Sequence, residues 1–112
     1  MDALYEDNVG MSFNDVAFPA NGSGGTPFAF AGLKGASDKG RTISWRTSFT
    51  GGPSAVNVEL QQSMDGEDWF SVDSSTATGG EYRTVSNVRA KFVRAFLVTR
   101  TGGTNITVEI LV

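Results

Sequence analysis

Cysteine and histidine are both missing from this 112-residue chain, and proline occurs only three times. Without cysteine, no disulfide can staple the fold and no thiolate can attack a substrate or ligate a metal. Without histidine, Ser-His-Asp and Cys-His sites are impossible, as is a histidine general base. Zinc sites built on either residue go with them. No apolar run approaches the ~18 residues of a membrane span. The acidic N-terminus lacks the apolar stretch of a signal peptide. No glycine-rich loop has the Walker lysine spacing or the dinucleotide pattern. A net charge of −3 argues against a generic nucleic-acid coat. These absences lead us to expect no cofactor, no nucleic-acid partner, no membrane partner and no enzyme, in a soluble chain made in a cytoplasm.

What is present is glycine, 14 residues in all, against a usual share of ~7%. Abundant glycine with little proline suits many tight turns, as in an all-β protein. Several stretches alternate with the period of two that a half-buried strand requires. Ile43, Trp45, Thr47 and Phe49 share one face of 42–50, and Val56, Val58 and Leu60 share one face of the next run, with Met64 a candidate extension of it. Ile106, Val108, Ile110 and Val112 give the last strand an inner face. Phe92 to Arg100 is apolar on both faces, which suits the middle of a sheet covered on both sides. Asp65-Gly66 predicts a type I′ hairpin turn, which needs positive φ at both central residues. A return strand is then expected from Trp69, and shorter ones over 28–33 and 81–85. No helix of ten or more residues has a 3.6 period. Six to eight short strands predict an all-β fold, two packed antiparallel sheets, with a small closed barrel as the alternative. The two Trp and most of the eight Phe are expected to fill the core.

The first 26 residues read differently. Met11, Phe13 and Phe18 are apolar but follow no sustained period, and residues 21–27 form a glycine-rich linker or long turn. Residues 1–15 hold Asp2, Glu6, Asp7 and Asp15 and no base, a charge of −4; the remainder holds eight acids and nine bases, or +1. The expected division is an extended arm and linker, 1–26, and a β-sandwich domain, 27–112. The arm either packs on its own domain or reaches a neighbouring subunit.

Candidate chemistry is sparse. Asp65, Glu67, Asp68 and Asp73 are the densest acids. Calcium could use such oxygens, but the EF-hand spacing is absent, and a solvated hairpin tip accounts for them. Arg83, Arg89, Lys91, Arg94 and Arg100 gather late in the chain. They read either as outward strand positions that protect edges or as a patch for an anionic partner, including the acidic arm of another copy. Tyr5 and Tyr82 could stack on sugars, though packing is the commoner use. The interface expected from these readings comprises Asp2, Tyr5, Glu6, Asp7, Met11, Phe13, Arg89 and Lys91.

The C-terminal half carries Ser63-Met-Asp-Gly-Glu-Asp-Trp69, then Ala90-Lys-Phe-Val-Arg94, then Gly102-Gly103. This order resembles short structural proteins of tailed bacteriophages, of the capsid decoration or cement type, and also discoidin-like β-sandwiches. The resemblance covers about half the chain and implies a jelly-roll or discoidin-like sandwich with an extended N-terminal arm. It further implies a non-enzymatic virion protein that decorates or cements a capsid. The expected partner is a major capsid protein or another virion protein, with the chain itself a homo-oligomer, trimer favoured. Alternatives are a carbohydrate- or receptor-binding module, with a glycan as possible ligand, and a tail tube or connector component.

Overall fold

A computed structural model describes residues 9–29 and 40–111. Nine strands occur among them: β1 (Val9–Ala17), β2 (Ser23–Gly24), β3 (Phe28–Ala29), β4 (Arg41–Thr50), β5 (Ala55–Ser63), β6 (Phe70–Ser75), β7 (Glu81–Val88), β8 (Phe92–Thr101) and β9 (Asn105–Leu111). They form two antiparallel sheets. Sheet A runs β1-β9-β4-β7; sheet B runs β2-β8-β5-β6, with β3 also pairing β8. Taking β2 and β3 as one interrupted position, each sheet has four places. The order is then that of a jelly roll, the double Greek key.

Alternation places the core between the sheets. Ile43 and Trp45 of β4 meet Val58 and Leu60 of β5, Val93, Ala95 and Leu97 of β8, and Ile106, Val108 and Ile110 of β9. Each large aliphatic side chain so buried contributes about 1.5–3 kcal/mol. The core is therefore mainly aliphatic. Trp45 and Phe13 are the aromatics within it, while Phe18, Phe28 and Phe49 pack against its margin. Trp69 is only half-buried and Phe70 is 65% exposed, contrary to the expected aromatic filling.

The expected boundary after residue 26 does not coincide with a change in structure. β1 is an edge strand of sheet A, paired to β9 from Val9↔Leu111 to Ala17↔Asn105. Its register shifts twice, between Met11 and Phe13 and between Phe13 and Val16, and Asp15 adopts φ 50°. Such bulges break the period of two, which is why β1 reads as irregular. Residues 1–8 and 30–39 lie outside the described residues, and with them most of the 28–33 strand and the loop from Lys34.

Both open sides of the sandwich are laced by polar groups. On the β1 side, the Ser12 hydroxyl donates to the Thr26 carbonyl (2.9 Å) and accepts from the Ala95 amide (2.8 Å). Gly25 permits this approach: a Cβ there would fall 2.4 Å from the Ser12 carbonyl oxygen. On the other side, Asp73 of β6 meets Arg83 of β7.

Candidate interaction surfaces

The β5–β6 connection differs from the turn expected of Asp65-Gly66. Only Gly66 has positive φ, 82°, and the return strand begins at Phe70. Ser63 and Asp65 organise the six intervening residues. The Ser63 hydroxyl accepts from the amides of Asp65 (3.2 Å) and Gly66 (2.8 Å). Asp65 Oδ1 accepts from the amides of Glu67 (2.8 Å) and Asp68 (2.9 Å) and from the Ser63 hydroxyl (3.0 Å). Those bonds favour the carboxylate and hold its pKa down at about 2. Asp65 is thus committed to its turn, and Asp73 lies apart with Arg83. Among the described residues no three acidic side chains are grouped to hold a metal.

Asp73 Oδ2 accepts from Trp45 Nε1 (3.0 Å) and Arg83 Nε (2.8 Å), and Oδ1 from Arg83 Nη2 (3.0 Å). Burial pushes the Asp73 carboxyl up, but the bonds from Arg83 and Trp45 together outweigh it and leave the group below its ordinary range. Arg83, bonded to Asp73, is held above the usual arginine value. Glu81 joins through Arg83 Nη1 (3.4 Å) and accepts from the Ser75 hydroxyl (2.5 Å). Three charge-assisted or indole bonds thus commit the Asp73 carboxylate to its neighbours. This network closes the β6–β7 side of the sandwich.

The five late basic residues do not form one patch. Arg83 serves Asp73. Arg100 lies over the Phe18 ring (4.7 Å) and donates to the carbonyls of Gly102 (3.0 Å) and Gly103 (3.5 Å) at the opposite end of β8. Arg89 and Lys91 are exposed in the β7–β8 turn, where the Lys91 amide donates to the Ser63 carbonyl (3.1 Å). Arg94 lies on the outer face of sheet B.

Two outer faces remain as surfaces for partners. On sheet A the register aligns Met11, Glu109, Arg46 and Tyr82 in one row across all four strands. Arg46 and Glu109 are ion-paired at its centre. The neighbouring row contains Leu111, Ser44 and Thr84, with the two hydroxyls 3.0 Å apart. Met11, Tyr82 and Leu111 are exposed on this face, Tyr82 at 62%. Exposed Met and Tyr around an Arg match the composition of protein interfaces.

Of the interface residues expected from sequence, Met11 belongs to this row. Phe13, by contrast, is 6% exposed and part of the domain's own core, because the bulge after Met11 turns it inward. Arg89 and Lys91 are exposed but lie in the turn. That turn sits at the end of sheet A where β1 begins, since Val88 pairs Arg41, Ser44 pairs Leu111, and Leu111 pairs Val9. Asp2, Tyr5, Glu6 and Asp7 lie outside the described residues.

On sheet B, Glu59 pairs with Phe96 and Gln61 with Arg94. Arg94 Nε donates to Gln61 Oε1 (2.9 Å), and Gln61 Nε2 donates to Glu59 Oε1 (3.1 Å). The guanidinium carbon stands 4.2 Å from the Trp69 ring centroid and 5.2 Å from that of Phe96. Burial pushes the Arg94 pKa below its ordinary value. This constellation was not anticipated as a site. Its sequence signal is the two-residue spacing of Glu59/Gln61 and of Arg94/Phe96, which puts each pair on one face of its strand.

No family model matches the chain, and no curated protein matches it. Among solved structures it is similar to SPBc2 prophage-derived protein YomS, with TM-score 0.60, 11% identity and 94% of each chain covered. At that identity the likeness is one of fold. Weaker likenesses are to a chain of the disulfide-linked pili that form Bacillus endospore appendages (TM-score 0.44, 9% identity, 92% of this chain and 85% of that one) and to PirA (TM-score 0.41, 12% identity, 93% and 83%).

Proposed function

We propose that this protein is a non-enzymatic structural component of a bacteriophage particle, one that decorates or cements the capsid through protein–protein contacts. The observation that carries the reading is the correspondence of fold, over 94% of both chains, with a prophage-derived protein. Jelly rolls are a recurrent architecture of viral capsid domains, although fold alone does not dictate function. The outer face of sheet A supports the reading locally. Its exposed Met11, Tyr82 and Leu111 surround an ion pair already satisfied within the chain, so a partner need not desolvate a free charge there.

The acidic residues Asp2, Glu6 and Asp7 and the basic turn residues Arg89 and Lys91 are charge complements. Between neighbouring copies such complements would orient and speed docking more than they would strengthen it. A small oligomer arrayed on a symmetric shell would multiply weak contacts through avidity.

The test is co-sedimentation of the purified protein with phage shells that lack it, together with its solution mass by light scattering. Saturable binding at a fixed number of copies per shell supports the proposal. A protein that stays in the supernatant at all salt concentrations contradicts it.

A further inference from the structure

We propose that the outer face of sheet B is a saccharide-binding site centred on Arg94, with Trp69, Phe96 and Glu59 as its contact residues and the buried Gln61 holding Arg94 and Glu59 in position. The proposal is independent of the assembly reading, which uses the opposite sheet.

Three observations carry it. The guanidinium is fixed before any ligand arrives. Its Nε is bonded to Gln61, its carbon stands over the Trp69 and Phe96 rings, and Gly24 beside it has no side chain; a Cβ there would fall 2.5 Å from Nη1. Among the described residues Arg94 bonds through Nε alone, which leaves the donors on Nη1 and Nη2 available. Glu59 accepts from Gln61 through Oε1, and its Oε2 is an acceptor without a donor among the described residues.

The ligand class follows from this mixture. Arg94 and Glu59 cancel in charge, so the patch is a poor site for phosphate or an acidic peptide, which Glu59 would repel. It offers spare donors and a spare acceptor within two strand positions, beside partly exposed aromatic rings. A sugar hydroxyl both donates and accepts, and the C–H face of a pyranose is the apolar partner that an aromatic ring can take. A neutral saccharide meets all three requirements together. An apolar side chain would leave Glu59 and the Arg94 donors unpaired.

Isothermal titration calorimetry of the full chain with maltohexaose, cellohexaose, chitohexaose, polygalacturonate, a poly-glutamate peptide and inorganic phosphate tests this. At least one neutral hexasaccharide should bind saturably at sub-millimolar to millimolar Kd. Arg94→Lys, which keeps the charge but loses the fork, and Trp69→Ala should each weaken it by about tenfold or more. Ser86→Ala on β7 should leave it unchanged. Amide and indole shifts of the unaltered protein give a readout that does not depend on variants. The Trp69 indole and residues of β5 and β8 should move, and the buried Trp45 indole should not. Silence from every neutral hexasaccharide up to millimolar concentration overturns the proposal. So does tighter binding of poly-glutamate or phosphate, or saccharide binding that ignores both variants.

Discussion

Arg83 grips Asp73 with two bonds, 2.8 Å from Nε and 3.0 Å from Nη2, across the gap between the edge strands of the two sheets. The carboxylate side chain is 15% exposed and the guanidinium 38%. Removing the arginine therefore strands a partly buried charge with only the Trp45 indole and the Ser74 backbone to stabilise it. Arg83→Ala is expected to cost about 1–2 kcal/mol, a value reduced by the exposure of the pair. In urea unfolding, the double variant Arg83→Ala/Asp73→Ala should lose less than the sum of the single ones.

Acid should destabilise the fold through Asp65 and Asp73. Both carboxyls have native pKa values below those of the unfolded chain. A depressed pKa contributes stability that is complete above the unfolded value, about 3.9, and is lost as pH falls through the native one. For Asp65 the native value is about 2. The urea midpoint should hence be level from about pH 7 to 5 and decline from about pH 4 towards 2. Asp65→Asn retains an oxygen acceptor for the turn, so it should fold at neutral pH and show a shallower acid decline.

Ser12 ties β1 to sheet B with one hydroxyl, accepting from Ala95 and donating to Thr26. Ser12→Ala leaves a buried amide and a carbonyl unpaired, and a loss of about 1–3 kcal/mol is expected. Hydrogen exchange at the Ala95 amide should accelerate, while the Ile110 amide in the middle of sheet A should change only with global stability.

The strands with unbroken alternation, β4, β5 and β9, were legible from their apolar periods, and β8 as an interior strand from its two apolar faces, although its outer face is only half-buried and not covered as expected. β1 was not, because two bulges and the positive φ of Asp15 erase its period. The 63–70 connection was misread because Ser63 and Asp65 use their side chains to build a longer turn, which moves Trp69 out of the return strand. The surfaces were harder still. Pairs such as Asp73–Arg83 and Gln61–Arg94 exist only once strand order and register are set, and the register of β5 against β8 itself shifts between Asn57 and Val58. Of the expected interface, Met11, Arg89 and Lys91 are exposed, whereas Phe13 has the apolar character of Met11 but points inward.

Truncation separates the two parts of the N-terminal stretch. Deleting residues 1–8 removes no described strand, and the melting temperature should stay within a few degrees of the full chain. Deleting residues 1–20 removes β1 with Phe13 and Ser12. Loss of Phe13 packing alone is worth about 3–5 kcal/mol, so this variant should unfold or aggregate. Circular dichroism melts of both fragments distinguish them.

The most direct measurement is a cryo-electron microscopy map of phage shells decorated with this protein. The account predicts density for the jelly roll at fixed lattice positions, with the row Met11, Glu109, Arg46 and Tyr82 facing the shell or a neighbouring copy. Undecorated shells at saturating protein would contradict it, as would particles in which that row faces open solvent on every copy.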